Sequence, residues 1–397
     1  MTPVSERDNA SATEVEGLRA EVLVHDDALV AVRDEWDTLA QHDPRDGFFR
    51  TATWYLAWRR HIRPDSTPFV VAARSHDGRL LGLAPLCRVK HRDLGFRLNA
   101  IGFGGRDVVS GDYLDVLAAE SRPAVMEAVL DRLWDVRSRW GLLVLGETID
   151  GGDFQKAVES WAARRNLAIR RQEQRRCPYI ELPQRFDDYL RSLGDSMRYQ
   201  VRRRTRDILE KHGARVEVCT RPDEMAAGLA TLVRLHLARW RSSDNEGTLG
   251  RHGFPEFLRH VCVSPPAGTR PRLYVLNHDG RPAGALLAFH FGESALYYQA
   301  GWDPDSPLSR LSPGVVLMGQ SIEDAIASGL RYYDFLRGDE AYKSRWTKTA
   351  RTTTTLLVAR TPMARAYLAT AHLKDRLKHL LPSRARGGAP SKGDDAQ

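Results

Sequence analysis

Apolar side chains recur along this chain at two spacings, and the spacing changes in the same order twice. From Ala20 to Val24 the run AEVLV is strand-like, and Leu29, Val32, Trp36 and Leu39 then fall at helical intervals. A second helix, FFRTATWYLAWRRHI, takes Thr51 or Thr53 as its N-cap. PFVVAARSHDGRLLGLAPLCRVKHR reads as a hairpin turning at His76–Arg79. A strand pair, LNAIGFGG and DYLDVLAA, leads to the helix PAVMEAVLDRLWDVRSRWG and a buried-type strand, LLVLGE.

The second half repeats this plan. ARVEVCT is a strand, PDEMAAGLATLVRLHLARW a helix opened by proline, and PEFLRHVCVS a second helix. RLYVLNHDGRPAGALLAFHFGESALYYQAGW supplies three strands. A Pro- and Ser-rich loop, the helix GVVLMGQSIEDAIASG, the strand RYYDFL and a last strand, TTTTLLVAR, complete the set. The turns SHDGRLLG and NHDGRPAG occupy matching places, so two copies of one α/β unit are expected, at 19–184 and 214–381. A basic connecting helix is expected over 185–213, and disorder over 1–18 and 382–397, where polar and turn-forming residues dominate.

Composition narrows the class. No run of about 18 apolar residues spans a bilayer. The first residues lack the basic and apolar regions of a secretory signal. Cys87, Cys177, Cys219 and Cys262 show no metal-ligand or disulfide spacing, so no metal and a cytoplasmic home are expected. A net charge of +8 and a pI near 9.4 suit an anionic partner, or reflect only an arginine-rich composition.

The sharpest local signal is the strand ending in QAGWDP, its loop and the helix beginning near Gly314. A strand feeding a helix N-terminus converges unpaired N–H groups and the helix dipole on one point, which suits a phosphate or pyrophosphate. Ser312, Pro313 and Gly314 form the turn, with Ser309 and Arg310 in reach; the same residues also describe an ordinary cap without a ligand.

This order of elements resembles the GNAT acyltransferase fold, and within it the acetyltransferase domain named after CelD-type cellulose-biosynthesis proteins. The carrying segments are FFRTATWYLAWRR, GRLLGLAPL, RYQVRRRTRDILEKHG, YYQAGWDPDSPLSRLSPGVVLMGQSIEDAIASG and YYDFLRGDEAYKSRW, between about Phe48 and Arg360. Fem-type aminoacyl transferases are similar more distantly. The resemblance implies an α/β (α+β) protein of two tandem GNAT-like lobes, each a mixed, mostly antiparallel sheet flanked by helices.

It also implies an acyl-CoA donor, acetyl-CoA first. The pyrophosphate would lie on Leu311, Ser312, Pro313, Gly314 and Val315, and the pantetheine arm along Gln299, Ala300 and Gly301. The sequence departs from the family's pyrophosphate pattern, since LSRLSPGVV has one glycine where alternating glycines are usual. Asp334 is the expected base, with Glu340 and His290 as alternatives; Tyr342 is the acid for the departing thiolate and Lys343 a phosphate or carboxylate binder. Arg337, Trp346 and Arg202 are expected around the acceptor. Each has a plainer role open to it, such as a cap, an ion pair or a solvated charge. Read alone, the arginines at 198–206 either bind an anion such as tRNA or pair with acids of both halves. The expected activity is acyl transfer to an amine of a small metabolite, sugar or amino acid held between the lobes. The rivals are transfer from aminoacyl-tRNA and a non-catalytic scaffold in polysaccharide assembly.

Overall fold

The computed structural model describes residues 13–15, 17–43, 47–120, 122–240 and 248–380. The expected disordered tail from 382, and residues 1–12, lie outside the described residues.

The first lobe runs β1 (Thr13–Val15), β2 (Leu18–Leu23), α1 (Asp26–Ala31), α2 (Arg33–His42), α3 (Ala52–His61), β3 (Val70–Ser75), β4 (Leu80–Ala84), β5 (Leu86–Asp93), β6 (Phe96–Phe103), β7 (Leu117–Ala118), α4 (Arg122–Asp135), β8 (Leu142–Ile149) and α5 (Asp153–Arg164). Next come β9 (Ala168–Glu181), α6 (Phe186–Ser192) and α7 (Asp195–Thr205). The second lobe runs β10 (Arg215–Cys219), α8 (Pro222–Trp240), α9 (Phe254–Val263), β11 (Arg270–His278), β12 (Arg281–Phe291), β13 (Ser294–Trp302), α10 (Pro313–Ala327), β14 (Tyr332–Asp334), α11 (Lys343–Trp346), β15 (Ala350–Ala359) and α12 (Pro362–Leu380).

The repeat is visible in the pairing. In each half a parallel pair of strands brackets a long helix, β13 with β14 around α10 and β6 with β8 around α4, although in the first half β7 lies between β6 and α4 and pairs with β4 instead. Thr51 caps α3 as expected, accepting from the Trp54 N–H. Three details differ from the pattern. Thr13–Val15, within a stretch expected to be unstructured, pairs with β2, because an added edge strand needs only backbone hydrogen bonds. In DYLDVLAA only Leu117–Ala118 pairs. The single basic connecting helix is two, because Leu193 and Gly194 are extended between α6 and α7.

A five-stranded sheet, β1-β2-β3-β4-β7, belongs to the first half alone, but the second sheet is shared between the halves. Ten strands run in the order β10-β11-β12-β13-β14-β9-β15-β8-β6-β5. β9, from the first half, bonds to β14, while β15, from the second, bonds to β8; β9 and β15 bond to each other. Each half therefore completes the other's sheet. Helix α12 follows β15 across, and its Tyr367 is buried in a small core with Leu98, Leu142 and Val144 of the first half. A larger core spans both lobes as well: Phe48 stacks on Phe289, ring centroids 4.6 Å apart, and Trp54 meets Phe257 edge-on at 4.8 Å.

Two expectations follow. The fragment 19–184 lacks β14 and β15, leaving one edge of β8 and both edges of β9 unpaired, so it should fail to give a dispersed amide NMR spectrum, while the whole chain melts in one transition; two separate melts would refute the shared sheet. His290 is fully buried, and burial first, then Arg272 and Arg270, lower its pKa to about 4 against the pull of Asp324. A base neutral in the fold but titrating near 6.5 when unfolded costs stability as pH falls from about 6.5 toward 4. Thermal melts across that range should show the loss in the native chain and a shallower one in His290→Leu.

Candidate active site

β13 and β14 set the site by diverging. Their parallel register ends at Leu296–Asp334. β13 continues to Trp302, whereas the next N–H beyond β14, that of Phe335, turns to the Pro178 carbonyl of β9 at 2.9 Å. The two strands thus open into a wedge. At its mouth β13 carries a bulge: Leu287 faces Gln299 and Ala288 faces Tyr297, leaving Tyr298 as the extra residue. Tyr297 accordingly turns toward the α10 side and Tyr298 toward the first lobe, where its hydroxyl donates to the Val109 carbonyl at 2.7 Å.

Gly301 allows α8 to approach this strand. A Cβ there would lie 2.5 Å from the His236 nitrogen, and the His236 Nδ1 meets the Ala300 carbonyl at 3.1 Å. The donor-loop residues lie close by. Leu311 and Val315 pack on the second core, Pro313 begins α10, and Ser312 takes the N-cap place in a left-handed conformation with φ 58°. Its side chain makes no capping bond, and its Oγ is buried without a partner. That differs from an ordinary serine cap. Gly314 faces open space except for the Trp302 ring at 3.7 Å. Arg239 of α8 stacks over that ring, 3.8 Å from its centroid, bringing positive charge to the helix N-terminus. Nothing in the spacing of α8 singled out Arg239.

Tyr342 also reaches this face. Its hydroxyl donates to Tyr297 at 3.3 Å, and burial, with Tyr297 beside it, keeps the phenol protonated well above its ordinary range. Lys343 does not face the wedge. Its buried ammonium donates to the Arg337 carbonyl at 2.8 Å and pairs with Glu340 at 3.0 Å, holding the turn made by Leu336 (φ 57°) and Gly338 (φ 133°). Gly338 is favoured there because its φ of 133° is one that residues with a side chain rarely adopt.

On the opposite face Asp334 joins a network between the lobes. Its carboxylate accepts from the Tyr113 hydroxyl at 2.7 Å, the Leu336 N–H at 2.7 Å and Arg351 at 3.4 Å. Arg337 turns to the first lobe, not to Asp334. Its Nε lies 3.2 Å from Asp112, its backbone N–H donates to the same carboxylate at 3.0 Å, and its Nη1 pairs with Glu147. Thr353 of β15 donates to Glu147 at 3.2 Å. Asp112 is fully buried, and desolvation raises its pKa to about 7 against the opposing Arg337 charge, with Glu147 and Asp334 adding to the rise. Asp112 and Glu147 were not among the expected site residues; the only hint was their place in GGRDVVSGDYLD and LLVLGE, stretches read for strands alone.

Two expected acceptor residues lie elsewhere. Trp346 is buried in the second core, its carbonyl taking the Tyr189 hydroxyl at 3.0 Å. Arg202 is exposed on α7, 3.8 Å from Asp187, in a groove with Arg198, Tyr199, Arg203 and Arg206. His290 pairs in register with Arg270 at the other end of β12 from Gly284, which faces the start of α10, so it is far along the strand from the donor loop. Among the described residues no His, Cys, Asp and Glu group could hold a metal ion, and no helix is long and apolar enough to cross a membrane.

The family model of the acetyltransferase (GNAT) domain matches residues 195–344, from α7 through the wedge and donor loop into α11. No curated protein sequence matches the chain. Three solved structures share the fold over most of its length. FemX is 12% identical, covering 81% of this chain and 95% of its own, with a TM-score of 0.57. A conserved protein of unknown function from Bacteroides thetaiotaomicron is 10% identical, covering 85% and 100%, with a TM-score of 0.54. The C-terminal domain of a putative lysylphosphatidylglycerol synthetase from Agrobacterium fabrum is 11% identical, covering 87% and 97%, with a TM-score of 0.53. Residues 195–344 are thus similar to a GNAT acetyltransferase domain, and they lie in a mixed α/β fold whose two halves are joined through a ten-stranded sheet.

Proposed function

We propose that this protein is an acyl-CoA-dependent N-acyltransferase of the CelD-type branch, moving an acyl group, acetyl first, to an amine held between the lobes. The observation that carries the reading is the wedge between β13 and β14 with the N-terminus of α10 beside it, where Ser312 has a buried, unpartnered hydroxyl. A fifteen-residue helix directs N–H groups and its positive end at that point. Pro313 has no N–H to leave unsatisfied, and Arg239 adds charge nearby. Those groups fit a pyrophosphate, with Ser312 as a further donor.

From there the pantetheine would follow the free edge of β13 past Ala300 and Gln299 into the wedge, and the thioester would emerge near Asp334. The oxyanion of the tetrahedral adduct needs donors already in place. Tyr342, kept protonated by burial, fits the acid that meets the departing thiolate. Lys343 fits a holder of the Leu336–Gly338 turn, which sets Arg337 and Asp334 at the far side of the wedge.

Acetyl-CoA at about 100 times its Kd should stabilise the protein by about 2.7 kcal/mol, read as a thermal shift of a few degrees. Gly314→Leu should leave the unliganded melting temperature close to that of the native chain, since open space surrounds the position, and abolish the shift. A flat response of the native protein to acetyl-CoA would sink this reading.

A second reading, transfer from aminoacyl-tRNA, is favoured by one observation. The groove on α7 combines Arg198, Arg202, Arg203 and Arg206 with Tyr199, an aromatic that is 62% exposed. It predicts activity with charged tRNA that falls steeply with salt and is lost when Arg198 and Arg203 become glutamate. Salt-insensitive turnover with acetyl-CoA alone would exclude it.

A further inference from the structure

Among the described residues six large apolar side chains are exposed, and three of them, Met363, Leu373 and Leu377, stand on α12 with 56%, 57% and 51% of their surface open. Ala366 and Thr370 are exposed as well, and the five recur at intervals of three and four residues, which places them on one face of the helix. The Thr370 hydroxyl donates to the Ala366 carbonyl at 2.9 Å, so its bond is made within the helix. A different face is already occupied: Ala364, Tyr367, Leu368 and Ala371 pack on the sheet with Leu98, Leu142 and Val144. α12 is thus apolar on two sides, and folding covers one of them.

The charge around the open stripe has one sign. Lys374 and Arg376 flank it on either side by helical spacing, both exposed and neither with an ion-pair partner among the described residues. The one acid of the helix, Asp375, pairs with Arg170 of β9. Residues 362–386 carry six lysines and arginines against that single acid, and after Leu381 the sequence PSRARGGAPSKGDDAQ adds charge without a large apolar residue. Such a pattern selects what covers it. A second copy of the chain would set Lys374 and Arg376 beside like charges, with no acidic flank to pair them. An anionic lipid surface accepts leucines at its interface and basic side chains at its phosphates, and it needs no groove matched to Ala366 and Thr370.

We propose that α12 docks the protein on an anionic phospholipid surface, with Leu373 and Leu377 entering the boundary between headgroups and acyl chains while Lys374, Arg376 and the basic residues after them meet lipid phosphates. No helix among the described residues is long and apolar enough to cross a membrane, so the contact is peripheral. Two leucines and a methionine anchor weakly by themselves, and charge supplies the remainder; the attachment is accordingly reversible and falls as salt rises. Tyr367 makes the helix part of the folded body. Its ring is buried and its hydroxyl donates to Asp93 at 3.0 Å, so a docked α12 carries the sheet with it. The proposal is independent of the acyl-donor reading, because α12 contributes no residue to the wedge or the donor loop.

The test is co-sedimentation of the full chain with lipid vesicles. The native protein is expected to bind vesicles of mixed phosphatidylcholine and phosphatidylglycerol, to bind pure phosphatidylcholine vesicles far more weakly, and to be released by added salt. The double variants Leu373→Ser/Leu377→Ser and Lys374→Glu/Arg376→Glu should each weaken that binding about tenfold. All four positions are exposed, so the melting curves should match that of the native chain; if the serine variant melts early, the charge variant carries the test. No binding to the anionic vesicles, or equal binding by the native chain and both α12 variants, overturns the proposal. Loss of binding in Arg198→Glu/Arg203→Glu with full binding in the α12 variants would place the lipid contact on α7 and overturn it too. So would a dimer in sedimentation velocity that disappears in Leu373→Ser/Leu377→Ser while vesicle binding persists, since the stripe would then belong to a second copy.

Discussion

The arrangement depends on one exchange of strands. β9 and β15 lie side by side at the middle of a ten-stranded sheet, each hydrogen-bonded to the other half's terminal strand. A parallel pair such as β13–β14 or β6–β8 cannot end a sheet without leaving an edge of unpaired N–H and C=O groups. Here each lobe covers that edge with a strand from its partner. The consequence is geometric: the ends of β8 and β14 stand on either side of β9 and β15, close enough for Glu147 and Asp334 both to act on Asp112.

Charge follows from that geometry. Two strand ends meeting at a junction place carboxylates where water is excluded, and the guanidinium groups of Arg337 and Arg351 are what make the meeting tolerable. The backbone is also held under strain there. Ser110, Tyr113, Glu147 and Leu336 all have φ between 52° and 57°, a conformation costing on the order of 1 kcal/mol for a residue with a side chain. Such turns persist only where the surrounding contacts impose them. The wedge between β13 and β14 then links two faces: the α10 terminus, Tyr297 and Tyr342 on one, and the network between the lobes on the other.

Much of this could be read from residue order. The doubled sequence of elements, the paired HDG turns and the loop at Ser312–Gly314 are local features, governed by periodicity of two or 3.6 and by turn chemistry. The run from Asp334 to Trp346 begins at the end of β14, yet its members divide. Asp334 and Arg337 enter the network, Tyr342 turns to the opposite face, and Lys343 and Trp346 are buried supports. Strand alternation separates neighbours by face, and which face meets the other lobe is not written in the run itself.

The basic segment shows the same limit. Its apolar stripe, Leu190, Leu193, Met197, Val201 and Ile208, is buried as its spacing dictates. Its arginines, however, lie on the α10 side of the sheet, away from Arg337. The sequence by itself determined the elements, their order, their duplication and the residues each must bury, because these depend on neighbours a few positions away. The tertiary structure alone decided that β9 and β15 change places, and so that Asp112 and Glu147 meet Arg337 across 225 and 190 positions of chain. Contacts of that separation come from sheet topology, which no local spacing encodes.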